Sequence, residues 1–305
     1  MTDGLTITTS TSLTPGESSA IAELVDTARA TDGFSALNES ALLHLRHGRP
    51  GVVHVLARRG EVLAGYAQLE VETPIDEQSA FSTGQLVVAP ALRRAGVGSA
   101  LLSELIGVSP APLRVWAMGN TPAAQALAAR AHLAAARELL IMKRSLSDPV
   151  PVSPVPAGTT IRSFLVGQDE QEWLGVNARA FAHHPEQGQL TRTDLEDRMA
   201  ESWFDPAGFF LATRPDATGT PRIVGFHWTK THPQRLGEVY VLGVDPDAGG
   251  RGLGKALLGH GLQHLRQQGN TEVQLYVEAD HGRAVGLYAG YGFAVASRDV
   301  MYALP

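Results

Sequence analysis

Two glycine-rich turns are the segments of this sequence best suited to binding an anion. They lie in GQLVVAPALRRAGVGSALLSEL (residues 84–105) and YVLGVDPDAGGRGLGKALLGHGL (residues 240–262), each between an apolar stretch and a predicted helix. Glycines leave backbone N–H groups accessible, and a helix N-terminus adds partial positive charge. Full charges flank the turns on Arg93, Arg94, Arg251 and Lys255. This chemistry predicts a pyrophosphate ligand.

The repetition of this turn strengthens the interpretation. A lone glycine-rich turn is about as often purely structural, but here Gly96 and Gly98 fall opposite Gly252 and Gly254. Two copies in register, each after a strand ending in Val-x-Pro, favour a binding loop over a structural turn.

The elements around the two turns follow the same order. Residues 52–70 predict a hairpin with its turn at Arg59-Gly60, and residues 208–214 and 222–230 are its counterpart. Strands at 113–118 and 272–279 follow the glycine-rich helices, and each precedes a short helix and a last strand. Further helices are predicted near residues 18–30, 169–181 and 191–203. We therefore expect an α/β fold of two similar domains, each a mixed, mostly antiparallel sheet flanked by helices.

A proline-rich segment separates these domains. SDPVPVSPVPAG, residues 147–158, cannot form a helix or a central strand, because proline lacks the backbone donor. The expected organisation is an N-terminal domain at 1–146, a linker at 147–158 and a C-terminal domain at 159–305.

Composition limits the remaining chemistry. The formal net charge of −6 argues against a nucleic-acid or membrane-binding surface. The absence of cysteine excludes disulfides, cysteine-ligated zinc and a thiol nucleophile. Without a recognisable signal or an apolar span, we expect a cytoplasmic protein, monomeric and without nucleic-acid or membrane partners. His183 and His184 are adjacent on a loop and are not expected to share a metal ion.

The loops resemble those of a known superfamily. Arg93-Arg94-Ala95-Gly96-Val97-Gly98 matches the Q/R-x-x-G-x-G/A coenzyme A loop of the GNAT acetyltransferases, and residues 249–254 match it except that Gly249 replaces the first Gln or Arg. GFHWTK, GEVYVLGVDP, RGLGKALL, LYVEAD, ATDGFSALNE and AFAHHPEQG resemble the mycothiol synthase family over nearly the whole chain. The resemblance implies acetyl transfer from acetyl-CoA to the cysteinyl amine of a cysteinyl-glucosaminyl-inositol, the last step of mycothiol biosynthesis.

The same resemblance implies the cofactor contacts. In the second half they are Leu242, Gly243, Val244, Gly249, Gly250, Arg251, Gly252, Leu253, Gly254, Lys255, His281, Gly282 and Arg283. In the first half they are Leu86, Val87, Val88, Arg93, Arg94, Ala95, Gly96, Val97, Gly98 and Ser99. The family fold places the thioester carbonyl at a strand bulge, here expected at Leu242 to Val244, whose amides polarise it.

Two residues are assigned to proton transfer. Even-spaced residues of a strand share a face, so Glu238, Tyr240 and Leu242 are expected to point the same way. The resemblance assigns Glu238 as general base, acting through a water, and Tyr288 as general acid. Without the resemblance, a solvated strand-edge glutamate is the favoured interpretation of Glu238, and the alternative for Tyr288 is a packed core aromatic.

Substrate contacts follow from the resemblance alone. They are Glu39, Glu186, Lys230, Glu238 and Tyr276. The alternatives are surface charges and, for Tyr276, a core strand position. Trp228 fits either a pocket lining or the core.

The two halves differ at the proton-transfer positions. Aligning Gly98 with Gly254 places Ser82 opposite Glu238, and aligning the final helices places Ala128 opposite Tyr288. We expect the first half to bind acetyl-CoA or to serve structurally, without turnover. Two alternatives stay open for the chain: acetylation of another amine, such as an aminoglycoside or peptide, and a non-catalytic acyl-CoA sensor.

Overall fold

The protein folds into two compact units. The computed structural model describes residues 4–71, 81–184 and 187–304. The first unit comprises Met1–Leu139 with Ser297–Pro305, and the second comprises Leu140–Ala296. Each unit is a mixed, mostly antiparallel sheet flanked by helices, which confirms the predicted α/β class.

The first unit holds most of the N-terminal elements. They are β1 (Leu5–Ser10), α1 (Pro15–Asp32), α2 (Glu39–His47), β2 (Val52–Arg59), β3 (Val62–Val71), β4 (Ser82–Val88), α3 (Val97–Val108), β5 (Leu113–Ala117) and α4 (Pro122–Arg130). The strand β12 (Ala294–Ala303) joins this unit from Ser297 onward. The strand order is β1-β2-β3-β4-β5-β12, in which β4 and β5 are parallel and the other neighbours are antiparallel.

The second unit begins within β6 (Ala134–Ser145), from Leu140 onward. Its further elements are β7 (Thr160–Ser163), α5 (Glu170–Ala180), α6 (Arg192–Met199), β8 (Phe209–Pro215), β9 (Pro221–His232), β10 (Leu236–Val244), α7 (Leu253–Gln267), β11 (Glu272–Glu278) and α8 (Gly282–Gly290). The strand order is β6-β11-β10-β9-β8-β7, in which β10 and β11 are parallel. Residues 147–158 contain neither helix nor strand.

Local sequence signals explain most element boundaries. Thr14 and Glu17 form a reciprocal capping box that starts α1, and Thr191 and Asp194 do the same for α6. The predicted hairpin turn at Arg59-Gly60 is wrong by one residue, because Arg59 pairs with Val62 and the turn is Gly60-Glu61. Gly60 has φ +55°, and glycine adopts that left-handed conformation at the first turn position without steric cost.

Candidate active site

A glycine-rich loop with the backbone geometry of an anion cradle joins β10 to α7 in the second unit. Gly250 and Gly252 have φ of +82° and +81°, conformations that glycine adopts without strain. Gly252 caps α7 without any side-chain hydrogen bond, so the first-turn amides of that helix have no partner from the cap. Arg251 and Lys255 are exposed and contact no described side chain through a hydrogen bond or ion pair. The loop therefore has free amides and two free cations.

The first unit builds the same backbone cradle between β4 and α3. Arg94 and Gly96 have φ of +63° and +84°, matching Gly250 and Gly252. Arg93, however, is held by Asp32 at the end of α1: Nη1 and Nη2 each donate to one carboxylate oxygen at 2.7 Å. The hydrogen bond to Asp32 raises the pKa of Arg93. The two loops therefore match in backbone conformation but differ in their charged side chains.

The strand bulge lies earlier in β10 than expected. The pairing with β9 shifts between Val239 and Val241, which makes Tyr240 the extra residue. The expectation of a bulge at Leu242 to Val244 was wrong, since these residues pair regularly with His227, Phe226 and Gly225. The contiguous β4 register from Ser82 to Val88 shows no such shift.

The bulge reverses the alternation of side chains along β10. Val239 packs with Leu262 and Leu265 of α7, whereas Val241 packs on the opposite face with Trp173. Leu242 returns to the α7 face. Glu238 and Tyr240 share a face, as predicted, but the expectation that Leu242 joins them was wrong because the extra residue breaks the two-residue period.

Glu238 lies where the two parallel strands separate. Pairing between β10 and β11 covers only Leu236–Glu238 with Glu272–Gln274, although both strands continue. Glu238 is 6% exposed, which excludes a solvated strand-edge glutamate. Its Oε2 accepts hydrogen bonds from His232 Nε2 at 2.6 Å and Gln274 Nε2 at 3.1 Å.

These neighbours keep Glu238 ionised. Burial alone would raise its pKa, but the hydrogen bond and charge of His232, the charge of Lys230 and the hydrogen bond from Gln274 together lower the pKa below its usual value. The result is a buried carboxylate at neutral pH.

Lys230 lies directly across from Glu238 in β9 and is 9% exposed. Its Nζ lies 4.1 Å from the ring centroid of Trp203 and 5.1 Å from that of Tyr240, distances that favour cation–π attraction. Arg198 Nε donates to Tyr240 Oη at 2.9 Å. A buried ammonium, a buried carboxylate and aromatic rings thus lie close together.

Sequence reasoning missed four members of this cluster: Arg198, Trp203, His232 and Gln274. His232 could have been found, because it shares a strand face with Lys230 two residues earlier. Nothing in the sequence around α6 indicates that Arg198 and Trp203 approach Tyr240. Trp228 is fully buried and stacks on Phe209 at 4.4 Å, so it belongs to the core.

Tyr288 lies in α8 and is 8% exposed within the core of this unit. Burial raises its pKa to about 12. The phenol is therefore protonated at neutral pH, and its oxygen has no hydrogen-bond partner among the described residues. The packed-aromatic interpretation and a donor role are both compatible with this environment.

The remaining predicted substrate and cofactor residues lie in different parts of the chain. Tyr276 is 46% exposed, which excludes the core alternative, and its Oη accepts a 3.5 Å hydrogen bond from Gln274 Nε2. Glu39 is the first residue of α2 in the first unit. Glu186 lies outside the described residues. His281 precedes α8, and Gly282 and Arg283 begin it.

The first unit has different residues at the positions of Glu238 and Tyr288. Leu133 N donates to Ala128 O as Phe293 N donates to Tyr288 O, which confirms that Ala128 occupies the position of Tyr288. In the sheet, Thr83 pairs with Glu70 of β3 just as Glu238 pairs with Lys230 of β9. Thr83, rather than the expected Ser82, corresponds to Glu238 because Tyr240 adds a residue to β10.

Two features are absent from the described part of the chain. Among these residues, no group of three or more His, Cys, Asp or Glu side chains is arranged to hold a metal ion. No described helix combines the length and apolarity that crossing a membrane requires.

Comparisons with known proteins agree with this architecture. The Acetyltransferase (GNAT) family model matches residues 21–132 and 176–293. The chain is 49% identical to the mycothiol acetyltransferase of Streptomyces avermitilis over 302 residues, covering 98% of this chain and 95% of the relative. For the mycothiol acetyltransferase of Streptomyces scabiei the identity is 50% over 299 residues, covering 97% and 94%.

Solved structures share the fold at low identity. A tandem GNAT protein from the clavulanic acid biosynthesis pathway has a TM-score of 0.70 at 19% identity, covering 98% of each chain. A GCN5-related N-acetyltransferase from Sphaerobacter thermophilus has a TM-score of 0.66 at 24% identity, covering 99% of this chain and 95% of that one. The chain therefore belongs to the GNAT acetyltransferase family and, within it, to the mycothiol acetyltransferases.

Proposed function

We propose that this chain transfers acetyl from acetyl-CoA to the cysteinyl amine of a cysteinyl-glucosaminyl-inositol, completing mycothiol biosynthesis. The observation that carries the proposal is the buried, ionised Glu238, placed where β10 and β11 separate, on the strand that leads into the anion cradle. The relatives named mycothiol acetyltransferase support the choice of acceptor.

The cradle fits the pyrophosphate of acetyl-CoA. First-turn amides of α7 and the exposed cations Arg251 and Lys255 supply its donors. Leu242, Gly243 and Val244 lie in β10 beyond its pairing with β11, with His281, Gly282 and Arg283 across the gap at the end of β11. Backbone donors in this part of β10 polarise the thioester carbonyl. Bound acetyl-CoA supplies the activated acetyl group.

Glu238 acts on the amine. A free α-amine has a pKa of about 8, so at neutral pH most of it is an ammonium that a buried carboxylate attracts. Glu238 Oε2 is occupied by two donors, and Oε1 has no hydrogen-bond partner among the described residues. The amine's proton passes to Glu238 directly or through a water, the N–C bond forms and the C–S bond breaks. Tyr288 donates a proton to the departing sulfur.

Recognition of the substrate involves residues beyond Glu238 and Tyr288. Lys230 and Tyr276 bind the hydroxyl-rich substrate beside Glu238, and Glu39 and Glu186 supply further carboxylates. Catalysis resides in the second unit. The first unit binds acetyl-CoA through Leu86 to Val88 and Arg93 to Ser99, or serves structurally, without turnover.

The test is thiol release with purified full-length chain. Wild type should release thiol from acetyl-CoA with the cysteinyl pseudodisaccharide, and not with an aminoglycoside or a peptide amine. Glu238→Gln keeps the size and removes the charge, and it should lower kcat by roughly 10²-fold or more. If another amine is acetylated at an equal rate, the proposed acceptor is wrong. If no amine causes thiol release, the chain is better explained as an acyl-CoA sensor. If the Glu238→Gln variant is active, Glu238 is not the base.

A further inference from the structure

An imidazole links the buried carboxylate to solvent. His232 is the last residue of β9, and its Nε2 lies 2.6 Å from Glu238 Oε2. The side chain of Glu238 is 7% exposed, whereas that of His232 is 28% exposed. Nδ1 of His232 has no hydrogen-bond partner in the described ranges. His232 therefore lies between the buried Glu238 carboxylate and solvent.

The hydrogen bond fixes which nitrogen is free. An ionised carboxylate only accepts, so in the neutral imidazole Nε2 carries the hydrogen and Nδ1 carries the lone pair. Gln274 occupies the same carboxylate oxygen, and its amide cannot carry a proton onward. This arrangement follows the logic of a carboxylate that orients an imidazole base.

The chemistry of the two groups favours the imidazole as proton acceptor. A free α-amine titrates near 8, an ordinary imidazole at about 6.5 and an ordinary glutamate at about 4.3. The pKa of Glu238 lies below its usual value because of the hydrogen bond and charge of His232 and the charge of Lys230 on β9. A carboxylate with a lowered pKa is a weak acceptor for the proton of an α-amine, which favours a second acceptor beside it.

We propose that the proton of the substrate amine passes to His232 instead of to Glu238 itself, and that Glu238 orients the imidazole and stabilises its cation. This inference rests on the proposed acetyl transfer. The N–H bond of the substrate ammonium breaks, the new N–H bond forms at His232 Nδ1 directly or through one water, and the imidazolium forms beside the Glu238 carboxylate. The imidazolium then releases the proton to solvent, which restores the pair.

His232→Gln is the discriminating variant, because its amide still donates to Glu238 but accepts no proton. We expect kcat to fall roughly 10²-fold or more, with the KM for acetyl-CoA unchanged. The acid limb of kcat/KM should also move up towards the pKa of the substrate amine, about 8, because only the neutral amine then reacts. His260→Gln is the matched control: His260 lies on α7 against Phe210, outside this cluster, and this variant should retain wild-type rates.

Chemical rescue separates catalysis from positioning. In His232→Ala, added imidazole should restore a substantial part of kcat, and a purely structural role would not respond to it. The inference is wrong if His232→Gln is active with an unchanged acid limb of kcat/KM while Glu238→Gln is inactive. That result would leave the proposed function standing. If both variants are active, the proposed role of Glu238 fails as well.

Discussion

Asp32 and Arg93 form a two-pronged ion pair in the first unit, with both N···O distances at 2.7 Å. Arg93 Nε also donates to Val88 O at 3.3 Å. Arg93 is thus committed to the protein at the loop position where the family places a coenzyme A contact. In the second unit the charges are reversed, since Arg179 of α5 holds Asp245 just before the loop.

Asp32→Ala should lower the free energy of unfolding by up to about 1 kcal/mol, because the pair is partly exposed and such pairs contribute little. Urea denaturation followed by circular dichroism measures this change. Thiol release should stay at the wild-type rate, since the pair lies in the first unit. A fall in kcat without loss of stability would contradict the assignment of turnover to the second unit.

Gly252→Ala should impair acetyl-CoA binding. The φ of +81° costs an alanine about 1–2 kcal/mol and displaces the amides that begin α7. We expect a lower melting temperature and a KM for acetyl-CoA raised by about tenfold, an effect that corresponds to 1.4 kcal/mol.

Gly107→Ala is the matched control for this substitution. Gly107 lies in α3, and a Cβ there would meet nothing within 4 Å. Alanine in this helix should stabilise the protein by up to about 1 kcal/mol and leave the KM unchanged. A normal KM in Gly252→Ala would argue against a backbone cradle.

The pH dependence of Tyr288 follows from its raised pKa. Because the pKa is about 12, the phenol remains a donor through pH 8–10, where a free tyrosine begins to ionise. We expect no alkaline fall in kcat/KM over that range from this residue. Tyr288→Phe should keep the core packing and lower kcat.

The same shift affects stability. The folded pKa exceeds the unfolded value of about 10, so the stabilisation is complete below pH 10 and is lost as the pH rises towards 12. Tyr288→Phe should weaken this alkaline loss, measured as melting temperature between pH 9 and 12. Equal alkaline slopes for the two proteins would reject the buried phenol as their source.

Sequence patterns predicted the positions of the strands and helices better than the pairing register between strands. The hydrophobic periods and the two glycine turns fix the order of strands and helices, because those signals are local. The extra residue at Tyr240 depends on how β10 pairs with β9, and no local preference encodes it. That single residue explains the errors in the bulge position, in the face of Leu242 and in the match of Ser82 to Glu238.

The side-chain cluster around Glu238 was likewise only partly predictable from the sequence. Glu238 and Lys230 were inferred through resemblance. His232 and Gln274 meet Glu238 only because strands distant in sequence lie side by side. Trp203, beyond the end of α6, approaches Lys230 through tertiary packing, which periodicity does not describe.

Installing the two missing groups in the first unit should not create a second active centre. Thr83→Glu with Ala128→Tyr, in a Glu238→Gln and Tyr288→Phe background, supplies both side chains at the matching positions. The new carboxylate would lie opposite Glu70 rather than a lysine, and its other neighbour would be Arg114 of β5, whereas Glu238 has Gln274 of β11. The described residues of β3, Val62–Val71, include no histidine, and β4 pairs with β3 without a bulge.

We therefore expect no measurable thiol release from this four-fold variant. Melting temperature should also fall, because Thr83 is 8% exposed and a glutamate there would bury a charge facing another carboxylate. Ala128→Tyr alone controls for overpacking in α4. Recovery of even a few per cent of wild-type kcat would show that the proton-transfer groups suffice without the bulge, the lysine and the histidine. If the four-fold variant folds but releases no thiol, we infer that turnover requires the whole β9–β10–β11 arrangement.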